Sequence, residues 1–258
     1  MIQAPAKKSL GQNFLQDMNI ARKIVDALEP GHKDRVLEIG PGKGVLTALL
    51  ADRAGLVLGV EKDYFLTFAL DRCPGLQAVN MDALQLDWSR LDRWPGLKII
   101  GNLPYNIAQT LLWDMAAGCR SFDRAVVMVQ KEVAQRITAG PGGKEYGALS
   151  IWLQSFTTPR VLFNVSPAVF RPRPSVDSSV LELRPLPADK IFFVPRDLAR
   201  VVKTMFQNRR KQLGRILKTY WNDRRKIALE QCGLDPRARP EQLSPEDFQG
   251  LSKCLFSE

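Results

Sequence analysis

The sequence predicts a doubly wound α/β domain followed by a small helical domain. Three observations carry this expectation. Short β-rich apolar runs alternate with helix-length segments from Arg35 to about Arg184, a glycine-rich turn follows the first run, and past residue 187 the apolar positions recur at helical spacing.

In chain order the strand-like runs are RVLEIG from Arg35, GLVLGVE ending at Glu61, LQAVNMD ending at Asp82, LKIIGN ending at Asn102, and RAVVMVQ ending at Gln130. Strands separated by helix-length connections pair in parallel, because the helix carries the chain back across the sheet. PRVLFNV and SSVLELR follow as a final pair, expected to form an antiparallel edge. The segment RPLPADK, with Pro185 and Pro187, then reads as a linker, dividing the chain into domains 1–187 and 188–258. Beyond it Leu198, Val201, Val202, Met205 and Phe206, then Leu213, Ile216, Leu217 and Tyr220, mark amphipathic helices. Ser244 before Pro245 marks the start of a last helix.

A chain of 258 residues with 45% hydrophobic content is long enough for a large and a small domain and too apolar to be disordered. Its apolar stretches, such as Leu56 to Val60, are far short of the roughly 20 residues that a membrane span needs. Met1 to Gly11 carries lysines without an apolar core, so a cytoplasmic protein without membrane contact is expected. Cys73, Cys119, Cys232 and Cys254 are far apart in sequence, which predicts isolated reduced thiols and no metal site. His32 is the only histidine and sits beside Gly31 in an expected turn, which disfavours Ser-His-Asp and Cys-His chemistry.

The net charge of +10 is concentrated in one segment. Between Arg196 and Lys226 eleven Lys or Arg face only Asp197 and Asp223, so nearly the whole excess lies in this one segment of the helical domain. A cationic face there suits a polyanion such as nucleic acid.

The first strand runs into Glu38-Ile-Gly40-Pro-Gly42-Lys-Gly44-Val-Leu-Thr47. Glycines in such a turn let the backbone bend sharply and let a ligand approach main-chain N–H groups. A dinucleotide fingerprint would need glycine at position 45, where Val45 stands, and this disfavours a dehydrogenase. The GxGxG spacing after an acid resembles motif I of methyltransferases that use S-adenosyl-L-methionine. Glu61 and Asp82 each end an apolar strand, on the side where an open α/β sheet binds ligands. Glu61 is placed to accept ribose hydroxyls, and the resemblance implies that Asp82 meets the adenine amino group.

GNLPYN ends the fourth strand on uncharged Asn102, Pro104 and Tyr105. Asn-Leu-Pro-Tyr resembles the (Asp/Asn)-Pro-Pro-(Tyr/Phe) motifs of enzymes that methylate exocyclic amines. A sulfonium methyl is already a strong electrophile, so the site must hold and polarise the amine more than deprotonate it. The expected acceptors are the Asn102 side-chain oxygen and the Leu103 carbonyl, the latter fixed by the φ of Pro104. Tyr105 is expected to stack on the base.

These residues and their order resemble the ribosomal RNA adenine N6,N6-dimethyltransferases over nearly the whole chain. The resemblance implies a Rossmann-like methyltransferase sheet, S-adenosylmethionine as cofactor, and dimethylation of two adjacent adenosines near the 3′ end of 16S ribosomal RNA during small-subunit assembly. It implies that Lys8-Ser-Leu-Gly-Gln-Asn13-Phe-Leu15 is a cofactor motif in which Asn13 and Leu15 contact the methionine part, beside Glu38, Gly40, Gly42, Gly44, Glu61, Asp82 and Asn102. Phe170-Arg-Pro-Arg-Pro-Ser-Val-Asp-Ser178 is similar to the family's FxPxPxVDS motif, which implies that Phe170 walls the target base opposite Tyr105. Ser175 stands where relatives more often have lysine. Gln130 to Arg136 and the TAGPGGKEYG that follows resemble a helix and loop beside the active site, and the glycines with Pro141 predict flexibility. Phe206 to Leu213 resembles the family's RNA-contacting stretch, which assigns Arg209, Arg210, Lys211 and Arg215 to RNA. A monomer acting on the small ribosomal subunit is expected.

Three rival functions use the same residues differently. A resistance methylase would act on large-subunit RNA, and an assembly factor would bind RNA without chemistry, although intact Asn102, Pro104 and Tyr105 speak against the latter. A DNA adenine methylase is disfavoured because Leu103 replaces the usual proline.

Overall fold

A computed structural model describes residues 5–7, 10–71, 73 and 75–256, so that Lys8 and Ser9 of the amino-terminal motif lie outside the described residues. Two compact units form. One comprises Met1–Ala134 with Pro159–Pro185, the other Gln135–Thr158 with Leu186–Glu258.

The elements of the first unit follow the expected alternation. β1 (Phe14–Leu15), α1 (Met18–Leu28), β2 (Arg35–Ile39), α2 (Val45–Ala51), β3 (Leu56–Glu61), α3 (Tyr64–Leu70) and β4 (Leu76–Asn80) come first. They are followed by α4 (Trp88–Leu91), β5 (Lys98–Asn102), α5 (Ala108–Gly118) and β6 (Arg124–Gln130), and the division between the units falls within the next helix, α6 (Lys131–Thr138). After α7 (Ala148–Phe156) the chain returns through β7 (Thr157–Val165), β8 (Phe170–Arg171) and β9 (Ser178–Pro185).

The seven-stranded sheet has the order β4-β3-β2-β5-β6-β9-β7. β2 pairs in parallel with both β3 and β5, and β5 with β6, as helix-length crossovers require. β9 pairs antiparallel with β6, so the last strand in sequence inserts between β6 and the edge strand β7. The first six residues of β6 are buried, because helices cover both faces of a parallel sheet. α1 starts where the Asp17 carboxylate accepts from the N–H groups of Asn19 and Ile20, and it buries Ala21, Ile24, Val25 and Leu28 against that sheet. A separate two-stranded ladder of β1 and β8 places Phe14 opposite Arg171 and Leu15 opposite Phe170.

The second unit contains α8 (Pro195–Gln207), α9 (Leu213–Tyr220), α10 (Arg225–Cys232) and α11 (Pro245–Phe256). Leu198, Val201, Val202 and Met205 form the buried face of α8, and Leu213, Ile216 and Leu217 that of α9, as their spacing predicts. Tyr220 differs and is half exposed. Ser244 and Asp247 exchange hydrogen bonds between side chain and backbone at the start of α11.

α7 also belongs to this unit, although the sequence placed it before the domain boundary. It buries Ser150, Ile151, Trp152, Leu153, Ser155 and Phe156, and the Phe156 ring packs edge-on against Phe193 at 5.3 Å. The loop before α7, expected to be flexible, is tied down. Gly142 N–H donates to Glu241 O at 2.7 Å, and the fully buried Tyr146 hydroxyl donates to Leu243 O at 2.8 Å. Among the described residues no helix is long and apolar enough to cross a membrane.

Candidate active site at the carboxyl ends of the central strands

The strand order reverses between β2 and β5, and an open α/β sheet leaves a crevice outside the carboxyl ends of its strands at such a point. Here the crevice is a cleft of about 850 Å³, part of it open solvent, lined wholly by the first unit. Its walls are the segment Leu10 to Phe14, the loop after β2, the ends of β3 and β4, and Asn102 to Ile107 after β5. His32 lies at the opposite end of β2, exposed in the turn before it.

The glycine loop is held by the acid of the next strand. Gly40, Gly42 and Gly44 have φ of +66°, +59° and +79°, a region that side chains disfavour. Gly42 N–H donates to Glu61 Oε2 at 3.0 Å while Asp63 N–H donates to Glu61 Oε1 at 2.8 Å. Glu61 is buried, and burial pushes its carboxyl up despite those two donors. Each oxygen keeps lone-pair capacity toward the cleft.

Glu38 and Gly44 stand apart from the cleft lining. Glu38 is 1% exposed and accepts from the Thr47 hydroxyl at 2.7 Å, and burial raises its carboxyl to about 7. It braces the turn into α2 and stands outside the cleft lining, so the expected cofactor contact is not formed by its side chain here. Gly44 caps α2, where a Cβ would come within 3.2 Å of Leu70.

Asp82 lines the cleft, its Oδ2 on the Lys62 ammonium at 2.7 Å and its Oδ1 on Leu84 N–H at 3.1 Å. The Lys62 hydrogen bond holds this carboxyl below its ordinary value. Asp63 caps α3 and fastens the amino-terminal segment. The Lys7 ammonium donates to it at 2.8 Å and the Gln12 amide at 3.3 Å, and although burial pushes Asp63 up, these donors bring its pKa below the ordinary value. This clasp was not legible, because Lys7 and Asp63 lie 56 residues apart.

The clasped segment reaches the amine motif. Asn102 Nδ2 donates to the Asn13 main-chain carbonyl at 2.9 Å, and this settles which end of the amide is which. With the nitrogen committed, Oδ1 remains as the acceptor. Leu103 N–H donates to Met128 O at 3.0 Å and the Pro104 carbonyl accepts from Ile107 and Ala108, so the backbone here is fixed at both ends. Asn13 thus acts at Asn102 through its main chain, while its side chain donates to Gly11 O. The Tyr105 hydroxyl meets Ser178 Oγ at 2.7 Å, and burial raises its pKa.

Leu15 and Phe170 are not in the cleft. They pair across β1 and β8 and are buried in the core, Phe170 at 0% exposure. A ring with no exposed face cannot stack on a base, so the wall expected opposite Tyr105 is absent in this conformation. Phe14 instead lines the cleft, with the Lys43 ammonium 4.8 Å from its ring centroid.

In the second unit the expected RNA contacts divide. Arg210, Lys211 and Arg215 are exposed around the turn from α8 to α9. Arg209 is partly withdrawn, with Nε on Glu241 at 2.7 Å and NH2 on Lys144 O at 3.3 Å. It anchors the loop before α7.

A family model described as ribosomal RNA adenine dimethylase matches residues 4–256. A Maridesulfovibrio salexigens protein named ribosomal RNA small subunit methyltransferase A is 50% identical over 256 residues, 98% of this chain and 97% of its own. One of the same name from Moorella thermoacetica is 43% identical, covering 96% and 92%. Among solved structures, a dimethyladenosine transferase from Plasmodium falciparum has a TM-score of 0.78 at 24% identity, covering 92% of this chain and 95% of that one, a likeness of fold. The 23S rRNA methyltransferase ErmE has a TM-score of 0.70 at 26% identity, with 94% and 99% covered.

Proposed function

Given that the chain belongs to the ribosomal RNA adenine dimethylase family, we infer that it dimethylates N6 of two adjacent adenosines near the 3′ end of 16S ribosomal RNA, as a cytoplasmic monomer acting on assembling small subunits. The broader activity, S-adenosylmethionine-dependent dimethylation of adenine in small-subunit ribosomal RNA, follows from membership itself.

The cleft fits that cofactor on its own chemistry. The loop backbone at Gly40 and Gly42 presents no Cβ to a ligand, and the buried Glu61 carboxylate, fixed by two backbone donors, is placed for a ribose diol. We assign the adenine edge to Asp82 and the methionine end to the Asn13 segment. Bound there, S-adenosylmethionine supplies an electrophilic methyl group on a sulfonium.

The amine is the task of the motif after β5. Asn102 Oδ1 and the Leu103 carbonyl accept its two hydrogens, which favours the positive charge that grows on nitrogen as it is methylated. Tyr105 supplies a face for the base, which must leave its stack to arrive there. Arg210, Lys211 and Arg215 bind RNA phosphates, and the helical unit is their platform. The observation that carries this assignment is the hydrogen bond from Asn102 Nδ2 to Asn13 O, which commits the amide nitrogen and leaves its oxygen to accept.

The test is incubation with undermethylated small subunits and labelled S-adenosylmethionine, followed by nucleoside analysis, with large subunits as the control. Label in N6,N6-dimethyladenosine at a pair of neighbouring small-subunit positions is expected. Label confined to large subunits, or to a single small-subunit position, would overturn the inference.

A further inference from the structure

Cys232 and Cys254 are 22 residues apart in sequence, yet their sulfurs lie 3.4 Å from each other. Cys232 is the last residue of α10 and Cys254 lies in the last turns of α11. A disulfide bond is about 2.05 Å long, so a closing movement of about 1.4 Å separates this contact from a covalent link. The chain can supply it, because Cys232 sits at a helix end beside Gly233, which has φ of +63°.

Both residues are half-buried, whereas Cys119 is fully buried. Cys254 Sγ also donates to Gln231 Oε1 at 3.3 Å. Among the described residues no group of three or more His, Cys, Asp or Glu is placed to hold a metal, so two thiols face each other without further ligands. Burial and the contact with Cys254 push the Cys232 thiol up to about 12. It therefore keeps its proton at neutral pH and can donate it toward Cys254.

We propose that Cys232 and Cys254 form a reversible thiol pair that a hydroperoxide closes into a disulfide, stapling α10 to α11. Cys254 loses its proton to solvent, its thiolate attacks a peroxide oxygen and breaks the O–O bond, and the hydroxide released takes up a proton as the first water, leaving a sulfenic acid. The Cys232 sulfur then attacks that sulfur, the S–O bond breaks, and water departs with the Cys232 proton. In sum two thiols and one hydrogen peroxide become one disulfide and two waters. Each sulfur loses one electron and the peroxide gains two. The link would hold α10, which begins with Arg225 and Lys226, to the carboxy-terminal helix.

The full-length protein is reduced, freed of reductant and treated with stoichiometric hydrogen peroxide. Its intact mass should fall by two hydrogen atoms, and peptide mapping should find Cys232 joined to Cys254. The thermal midpoint should rise by on the order of 10 °C, and dithiothreitol should reverse both changes. Cys254→Ser should show neither change. Cys232→Ser should instead gain one oxygen at Cys254 without any rise. Absence of the cross-link from the peroxide-treated parent protein, a link through Cys73 or Cys119, or a link between two copies of the chain would overturn the proposal.

Discussion

Replacing Glu38 with Gln separates the two roles that its place in the glycine motif suggests. The carboxyl is 1% exposed and braces the turn through Thr47, and burial lifts its pKa from 4.5 to about 7, with the Thr47 hydrogen bond opposing and the charge on Glu61 adding to the rise. The folded state therefore holds this proton more tightly than the unfolded chain does. Its stabilising effect is full below about 4.5 and is lost as pH climbs through about 7. Between pH of about 5.5 and 8 the two titration curves imply a loss of about 2 kcal/mol, or about 4–8 °C in thermal midpoint for a chain of this size. Gln keeps the volume and an acceptor for Thr47 but has no charge to bury. Unfolding of both proteins followed across that range should show the parent falling relative to Glu38→Gln as pH rises, since titrating groups not coupled to Glu38 cancel in the difference. Parallel curves would refute the burial account. Cofactor affinity, measured by calorimetry, should be nearly unchanged, because Glu38 stands outside the cleft lining. A loss on the order of 100-fold, about 3 kcal/mol, would restore it as a cofactor contact.

Asn102→Ala should slow methyl transfer by about 100–1,000-fold, the range for removing one preorganised polar partner of a developing charge, with cofactor affinity retained in calorimetry. Tyr105→Phe should keep most activity, since it removes only the hydroxyl contact with Ser178, whereas Tyr105→Ala should weaken substrate use by the roughly 1–3 kcal/mol of a base stack, read as KM for undermethylated subunits. Arg210→Ala and Lys211→Ala should each lower the salt dependence of RNA binding by nearly one log–log unit. Arg209→Ala should leave that slope unchanged and lower the melting temperature, because Glu241 and the Lys144 carbonyl lose their partner.

Features that depend on local periodicity were legible in the sequence. The parallel strands, their order of acids at carboxyl ends, and the buried faces of α8 and α9 need only alternation and helical spacing to be seen. Pairings across long separations were not. β1 and β8 have two residues each, too short for any period, yet their ladder buries Leu15 and Phe170. The glycines of the 139–147 segment suggest mobility when read locally, while Tyr146 finds Leu243 97 residues away and is fully buried. Motif position likewise suggested a cofactor contact for Glu38, whereas the loop residues Gly40 and Gly42, not the buried strand acid, line the cleft. Cys232 and Cys254 have no spacing signature at all and meet only through the packing of α10 on α11.

The electrostatics of the cleft explain why a neutral amide ends β5. Four titratable side chains line it, and each is already committed. Glu61 accepts from Gly42 and Asp63, Asp82 is paired with Lys62, and the Tyr105 hydroxyl is engaged by Ser178. The lone histidine is at the far end of the sheet. A reaction that required a base to remove the amine proton before methyl transfer would lack one among these residues. A methylated amine becomes acidic as it turns cationic, so solvent can take that proton afterwards. What the step needs beforehand is an acceptor of fixed orientation, and a charged carboxylate is unnecessary for that. In the proposed reaction Asn102 supplies that acceptor, its nitrogen being taken by the Asn13 carbonyl. Dimethylation sharpens the demand: after the first transfer one hydrogen remains on the amine, so one of the two acceptors must face a methyl group instead.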